Sequence, residues 1–492
     1  MELDVEEIDI GTRTPTVLLH ASDAMELGAH PLDRVQIQTD GRTEIGIVEV
    51  TDELIDPGEM AVTRPLGHID GTVTVDLAPQ PEAVTSIRKK LDDIELEDYE
   101  LNRVVRDIDA DRLDDVELTA FITALYTHGL SRSEIHSLTT SMVEVGDSLA
   151  WEHDVVADKH SIGGVAGNRT TPIVVPIVAS AGLTIPKTSS RAVTSAAGTA
   201  DTMAVFCDVE FDIEEVRAIV RETGGCMVWG GAVDLSPVDD KMLRVSTPLS
   251  LDPPSQIVAS VLSKKKSAGS TNVVIDIPYG EGSKLSSLAA ARELAEEFRA
   301  VGSKLEMSVE CAITNGVEPI GNGVGPVLEA RDVLAVLDGD GPARLRNKAV
   351  SLAQLVFESC GVDADAADIL SSGRARATFG EIVAAQNGDP AVRPTALEPG
   401  SETATVVADR SGKVTHVDNS IVNALARRAG APKDARAGVD LHVETGETVS
   451  SGVELLTIYA EKRGKLDQAR EFAEKREPVR VREPDESLVE RI

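Results

Sequence analysis

Residues 158–199 run DKHSIGGVAGNRTTPIVVPIVASAGLTIPKTSSRAVTSAAGT, two loops rich in glycine and hydroxyl side chains on either side of one apolar segment. Such a unit suits phosphate. Backbone N–H groups at a glycine-rich turn opening a helix point at an anion, and the helix dipole adds partial positive charge. Lys159 and Arg191 stand beside the loops with full charges, and Ser189, Ser190, Thr194, Ser195 and Thr199 supply hydroxyls. One ligand with two anionic ends is the chemistry this pattern offers. The alternative is a pair of ordinary βα turns whose glycines serve only positive φ.

The elements that must position these loops follow from periodicity and turn signals. Residues 1–80 favour short strands, VLLHA, RVQIQT, EIGIVEV and GTVTVDL, separated by turns such as TDGR and DPGE, which predicts a small β-rich domain. LAPQPEAV, with Pro79 and Pro81, reads as a linker. Residues 84–151 turn helical through IRKKL, DDVELTAFITALYTHGL and SRSEIHSLTTSMVEVGDSLAW, where Ser131 and Glu134 make a capping-box signature. Residues 152–395 alternate. DVVAD, LTIPKTS, GCMVWGG, TNVVIDI and KLEMSVECAI read as buried strands, with TTPIVVPIVASAG, FDIEEVRAIVRETG and SSLAAARELAEEFRAVG as the helices between them. Between the third and fourth strands, residues 235–266 form an insertion, helical at SQIVASVLSKKK, expected to pack with the earlier helical layer and border a cleft. In residues 400–492, TATVVADRSGKVTHVD and LHVETGETVSSGVELLTIYAE read as β-hairpins around a short helix. The expected fold class is α/β with α+β: a helical domain and a mostly parallel-sheet phosphate-binding domain, preceded by a β-rich domain and followed by an α+β domain.

The composition narrows the partners. At 492 residues, 42% of them hydrophobic, the chain is long enough for three or four well-buried domains. With 83 acidic and 48 basic residues the net charge is −35, a surface that repels nucleic acid and anionic membranes. An anionic substrate must then be captured by locally concentrated cations and N–H donors. A salt-rich cytoplasm would screen the repulsion, so a halophilic origin is the leading reading beside a plain acidic protein. Cys207, Cys226, Cys311 and Cys360 show no CxxC spacing and read as buried thiols in a reducing cytosol. No early basic and apolar stretch resembles a signal peptide, and no run approaches a membrane span, so a soluble cytoplasmic protein is expected. His20, His68, His128 and His442 lack ligand spacing, so no metal is expected.

IRKK, Tyr126, LTTSM followed by GDSLAW, DKHSIGG, SSRAVTSAAGT, LSPVDDKMLR, ASVLSKKK and GVELLTIYAE together resemble the thymidine and pyrimidine nucleoside phosphorylases over essentially everything after residue 84. The resemblance implies a helical domain and a phosphate-binding α/β domain around a cleft, and phosphorolysis without a cofactor: phosphate, the cosubstrate, attacks the anomeric carbon and the base leaves. Where those enzymes carry SGRGLGHTGGT, this chain has Ser190 and Thr194 for glycines and Ser195 for a histidine. Extra hydroxyls suit a 5′-phosphate, with about two charges and several acceptor oxygens. With the added β-rich domain, this version resembles the archaeal AMP phosphorylases, which implies AMP and phosphate going to adenine and ribose 1,5-bisphosphate, CMP and UMP as further candidate substrates, and a homodimer or larger homo-oligomer. A nucleoside phosphorylase and a noncatalytic nucleotide-binding protein are the competing readings. A related transferase scaffold uses a diphosphate sugar with magnesium, but the matching loops carry no clear acidic pair for that metal.

The resemblance also implies roles. Gly164, Ser190, Arg191, Ala192, Val193, Thr194, Ser195, Thr199, Ser260 and Lys284 are the expected substrate contacts, with Lys159 and Ser161 on either inorganic phosphate or the sugar phosphate, the sequence leaving open which loop serves which anion. Cleaving an N-glycosidic bond builds negative charge on the leaving base, so a proton donor there helps, and Asp252 in TPLSLDPPSQ is expected to fill that place. That role requires desolvation of its carboxyl. On motif alone Asp252 is equally a helix cap. Ser260 and Lys264 lie one turn apart and can share a face; the lysines 264–266 are otherwise a solvated helix end. Lys284, after TNVVIDI, can reach a ligand from the carboxyl ends of the strands or be a surface lysine. His160 is left without a role.

The charge generates one test. Thermal unfolding followed from low to molar KCl should show Tm rising as self-repulsion is screened, whereas a flat Tm would remove the halophilic reading.

Overall fold

The computed structural model describes residues 1–483 apart from Arg13, Asp40, Val193 and Thr194. Contacts divide the chain into two units, residues 1–128 and 129–492.

In the first unit six strands close into a barrel, in the order Glu2–Glu7, Glu59–Val62, Thr16–His20, Arg42–Thr51, Arg34–Thr39, Thr72–Leu77. Alternation makes this possible: Val35 and Ile37 point inward with Val17, Leu19, Val48, Met60 and Val75, while Arg34 and Gln36 face outward. Helices Ala83–Leu91, Asp98–Asp109 and Asp115–His128 follow. Arg34 ties the barrel to the last of them through a forked ion pair with Glu117.

The second unit is built on parallel strands. Ser308–Asn315, Asn272–Tyr279 and Ala157–Ser161 pair in that order, as do Ile185–Ser189 and Gly225–Trp229. A parallel bridge from Val156 to Thr184 joins the two groups into one run of five strands. All five runs expected to be strands hold one, with two shifted bounds: the last starts at Ser308, since Lys304 ends helix Leu288–Lys304. The first does not cover DVVAD but begins at Ala157, so Asp158, Lys159, His160 and Ser161 belong to the strand itself. Asp158, Lys159 and Ser161 are tolerated there because each finds a buried partner, as described below.

Helices Thr171–Ser180, Ile213–Thr223 and Leu288–Lys304 fall where the pattern places them. The insertion holds two helices, Pro237–Leu249 and Pro254–Ser267, and the second packs on Arg132–Val145, whose capping box at Ser131 and Glu134 is formed in both directions. Four further helices, Pro326–Asp338, Ala343–Cys360, Ala366–Ser371 and Arg374–Ala385, are additional to those expected; they share one core with Ile173, Val174, Ile177 and Val178.

The C-terminal α+β part corrects the first expected hairpin, while the two ends of LHVETGETVSSGVELLTIYAE do pair antiparallel. Glu402–Val407 pairs with Glu454–Ala460, which also pairs with Gly438–Leu441. Gly412–Val417 instead joins Thr448–Val449 and Val479–Arg482 in a second sheet. The chain changes sheet at Ala408, whose N–H and carbonyl are taken by Val453 and Gly452, so DRSG is a crossing and not a hairpin turn. Helices Asn419–Ala429 and Arg463–Lys475 fill the space against these strands.

Candidate active site at the carboxyl ends of the strands

Strand Ala157–Ser161 delivers Lys159 and Ser161 to its carboxyl end, and the turn that follows carries Gly163, Gly164 and Gly167, all at positive φ, before helix Thr171–Ser180. Gly164 is required twice over: φ is +86°, and a Cβ there would lie 2.7 Å from the backbone nitrogen of Lys284. The absence of a side chain lets the loop bearing Lys284 close on this turn.

Beneath it lies Asp276, a buried acid in the strand Asn272–Tyr279. Its carboxylate accepts from Ser161 Oγ at 2.8 Å, Thr314 Oγ1 at 2.6 Å and Asn168 Nδ2 at 3.3 Å, and pairs with Lys348 Nζ at 2.9 Å. Burial pushes its pKa up, but Lys348 and Lys159 outweigh that and hold it below the usual range. Lys159, 1% exposed, donates to Thr170 Oγ1 at 2.7 Å. Burial pushes its pKa down to about 8 even though Asp276 opposes the change. His160 is pushed well below its ordinary range by burial, then by Lys265, Lys187 and Lys159, so its imidazole is neutral.

A second buried acid, Asp158, stands on the neighbouring strand. It meets Lys265 Nζ at 2.8 Å and Lys187 Nζ at 3.5 Å, with Ser270 Oγ donating at 3.2 Å. All three charged side chains are 4% exposed or less.

The second loop, residues 190–198, folds onto Asp201. That carboxylate accepts from the N–H groups of Ala192 at 2.7 Å and Gly198 at 2.8 Å, so these two donors are already engaged. A Cβ on Gly198 would lie 2.5 Å from the carbonyl oxygen of Ser190, which keeps the loop closed. Arg191 pairs with Asp201 at 3.4 Å and Glu210 at 2.7 Å and lies 5.1 Å over the ring of Trp229. Ser195 Oγ donates to the Ala197 carbonyl. Thr199 Oγ1 accepts from Arg169, whose guanidinium also pairs with buried Glu329 at 2.5 Å. Val193 and Thr194 lie outside the described residues.

Two further clusters come from the insertion. Asp252 Oδ2 lies 3.2 Å from Lys284 Nζ, so Gly164, Lys284 and Asp252 are gathered in one place although 88 and 120 positions separate Asp252 and Lys284 from Gly164. Helix Pro254–Ser267 starts from Pro253 with no side-chain cap, which removes the cap reading of Asp252. The carboxyl is 54% exposed, so the desolvation a proton donor needs must come from what binds beside it. Ser260 Oγ donates to Asp239 Oδ2 at 2.8 Å, and Lys264 Nζ donates to the same oxygen at 2.5 Å. Lys264 is thus not a solvated helix end; burial pushes its pKa down, but Asp239 and Asp240 more than offset that and raise it.

Three family models match in order: the helical bundle domain of a glycosyl transferase family over residues 84–146, its a/b domain over 153–296, and the pyrimidine nucleoside phosphorylase C-terminal domain over 413–478. The AMP phosphorylase of Natronomonas pharaonis is 59% identical with all of both chains covered. That of Thermococcus kodakarensis is 44% identical over 98% of each, and AMP phosphorylase 1 of Archaeoglobus fulgidus 43% over 94% of each. The chain belongs to the AMP phosphorylase family. Anthranilate phosphoribosyltransferase (TrpD) from Thermus thermophilus shares the fold, with a TM-score of 0.54 at 18% identity over 62% of this chain and 99% of that one.

In this AMP phosphorylase-family chain the residues that sequence reasoning missed are those that hold the expected ones: Asp276, Asn168, Thr170, Lys348, Asp239, Asp201 and Arg169. One signal was available, an acid inside the apolar strand TNVVIDI.

Burial of Lys159 has a pH signature. Its unfolded pKa is near 10.4 and its folded value about 8, so between those values the unfolded chain holds the extra proton and stability rises with pH. Denaturant unfolding of wild type and Lys159→Met should show their stability difference moving by about 3 kcal/mol in favour of wild type from pH 8 to pH 10.5. A constant difference would mean that Lys159 does not titrate early.

Proposed function

We infer that this chain cleaves AMP with phosphate, releasing adenine and ribose 1,5-bisphosphate, as a pentosyltransferase. What carries the inference is identity of 42–59% over nearly the whole chain to AMP phosphorylases from several organisms, which does not favour the nucleoside or noncatalytic readings. The hydroxyls of Ser190 and Ser195, where the nucleoside pattern has glycine and histidine, support a substrate that carries a 5′-phosphate.

In the reading we favour, the turn with Lys159, Ser161 and Gly164 receives inorganic phosphate, and Ser190, Arg191, Ala192, Val193, Thr194, Ser195 and Thr199 surround the 5′-phosphate. Ser260 contacts the nucleotide, and Lys284 reaches it beside Gly164. A phosphate oxygen attacks C1′ as the bond to the base nitrogen breaks, and Asp252 passes its proton to that nitrogen. Charge moves from the attacking oxygen to the base through an oxocarbenium-like ribose, so fixed cations at one end and an acid at the other favour the transition state. The stacked base would shield Asp252 from water. Phosphate is the cosubstrate; no further cofactor is invoked. Among the described residues no helix is long and apolar enough to cross a membrane. A cytoplasmic homodimer or larger homo-oligomer is part of the same proposal.

The test is product chromatography with phosphate present. AMP should release free base at least about tenfold faster than adenosine, since losing charge-assisted hydrogen bonds worth about 1.5 kcal/mol or more costs that factor. Equal rates would sink the monophosphate assignment.

Asp252→Asn preserves shape but not the transferable proton. AMP binding should persist while kcat falls about 10² to 10⁴-fold. Near-normal turnover in a folded variant would place the acid elsewhere.

A further inference from the structure

Helix Asn419–Ala429 belongs to the C-terminal α+β part, with Val422, Leu425, Ala426 and Ala429 in that core. Its other face meets the loops of the active site. Asn419, 2% exposed, accepts through Oδ1 from the Ala166 N–H of the first loop at 3.2 Å and donates through Nδ2 to the Gly316 carbonyl at 2.8 Å. One turn on, Asn423 Oδ1 accepts from the Ala196 N–H of the second loop at 2.7 Å. Another turn on, Arg427 donates to the Ser195 carbonyl at 3.0 Å. A Cβ on Gly282, two residues before Lys284, would lie 3.6 Å from that of Asn419.

Positions four apart stack on one helix face, so Asn419, Asn423 and Arg427 form a single row. The partners of that row lie more than 100 residues away in sequence and belong to three of the strand-end segments. Neither loop fixes its own shape completely. The N–H groups of Ala166 and Ala196 have no strand or helix partner, and an amide oxygen supplied by a rigid helix replaces one.

We propose that this helix is the clamp that sets both anion-binding loops, with Asn419 positioning the turn that receives inorganic phosphate and Asn423 positioning the loop around the 5′-phosphate. The proposal rests on the loop assignment given above. Asn423→Ala leaves the Ala196 N–H without its acceptor and lets the second loop move, so ordering of that loop must be supplied by the nucleotide on binding. Asn419→Ala does the same for the first loop.

Steady-state kinetics of the full chain separate the effects. Asn423→Ala should raise KM for AMP about five- to tenfold, the equivalent of one lost hydrogen bond, with KM for phosphate within about twofold. Asn419→Ala should do the reverse. Asn423→Asp, which keeps an acceptor toward Ala196, should restore KM for AMP to within about threefold. Because Asn419 is buried and its variant is at risk of misfolding, half-buried Asn423 with its Asp rescue decides the matter alone. If the two KM effects exchange substrates, the clamp stands and the assignment of loops to anions falls. If Asn423→Ala leaves both KM values within twofold, or raises both equally with no rescue by Asp, the clamp is wrong and the helix is only structural.

Discussion

Asp158 and Asp276, both without solvent exposure, stand on paired strands at the point where the chain must gather positive charge. A surface of net −35 repels phosphate, so attraction has to be local and held away from the surrounding field. Each acid collects lysines: Lys187 and Lys265 on Asp158, Lys348 on Asp276 with Lys159 close by. Burying these groups separately would cost several kcal/mol per ion, and pairing with hydrogen bonds reduces that. Lys348 and Lys159 both face Asp276 near the carboxyl end of strand Ala157–Ser161, whereas the Asp158 group lies toward the amino ends of the paired strands, beside Ser270.

The sheet topology makes this placement possible. Parallel strands bring all their carboxyl ends to one edge, where loops from distant parts of the chain meet. The glycines then allow approach closer than side chains would permit: Gly164 against Lys284, and Gly198 against the Ser190 carbonyl. Acidic residues recur as organisers, Asp201 for the second loop and Asp239 for Ser260 and Lys264. In a protein so rich in acids, the organising ones, Asp276, Asp239 and Asp201, are largely removed from solvent, whereas Asp252 is half exposed.

Much of the layout was legible in the residues. Short apolar runs marked all five parallel strands, and Gly164, Asp252 and Lys284, all named from the sequence, lie together. What was not legible has a common physical cause. Asp276, Lys348 and Thr314 act through contacts 38 to 115 or so residues apart, which no local pattern encodes. The expected hairpin TATVVADRSGKVTHVD failed because alternation shows which face of a strand is buried but not which strand pairs with it. Helices between 326 and 385 were not expected, although their period is legible: Leu345, Ala349, Leu352, Ala353, Val356 and Phe357 recur at helical spacing, as do Ala375, Thr378, Phe379, Ile382 and Val383.

The central claim is that two loops at one sheet edge hold two separate anions. A crystal structure with AMP and sulfate, sulfate standing in for the attacking phosphate, tests it most directly. The account predicts sulfate beside Lys159, Ser161 and Gly164, and the 5′-phosphate beside Ser190, Ser195 and Thr199, with the ribose between them and the base toward Asp252. Both anions in one loop, or a nucleotide bound away from these residues, would contradict it.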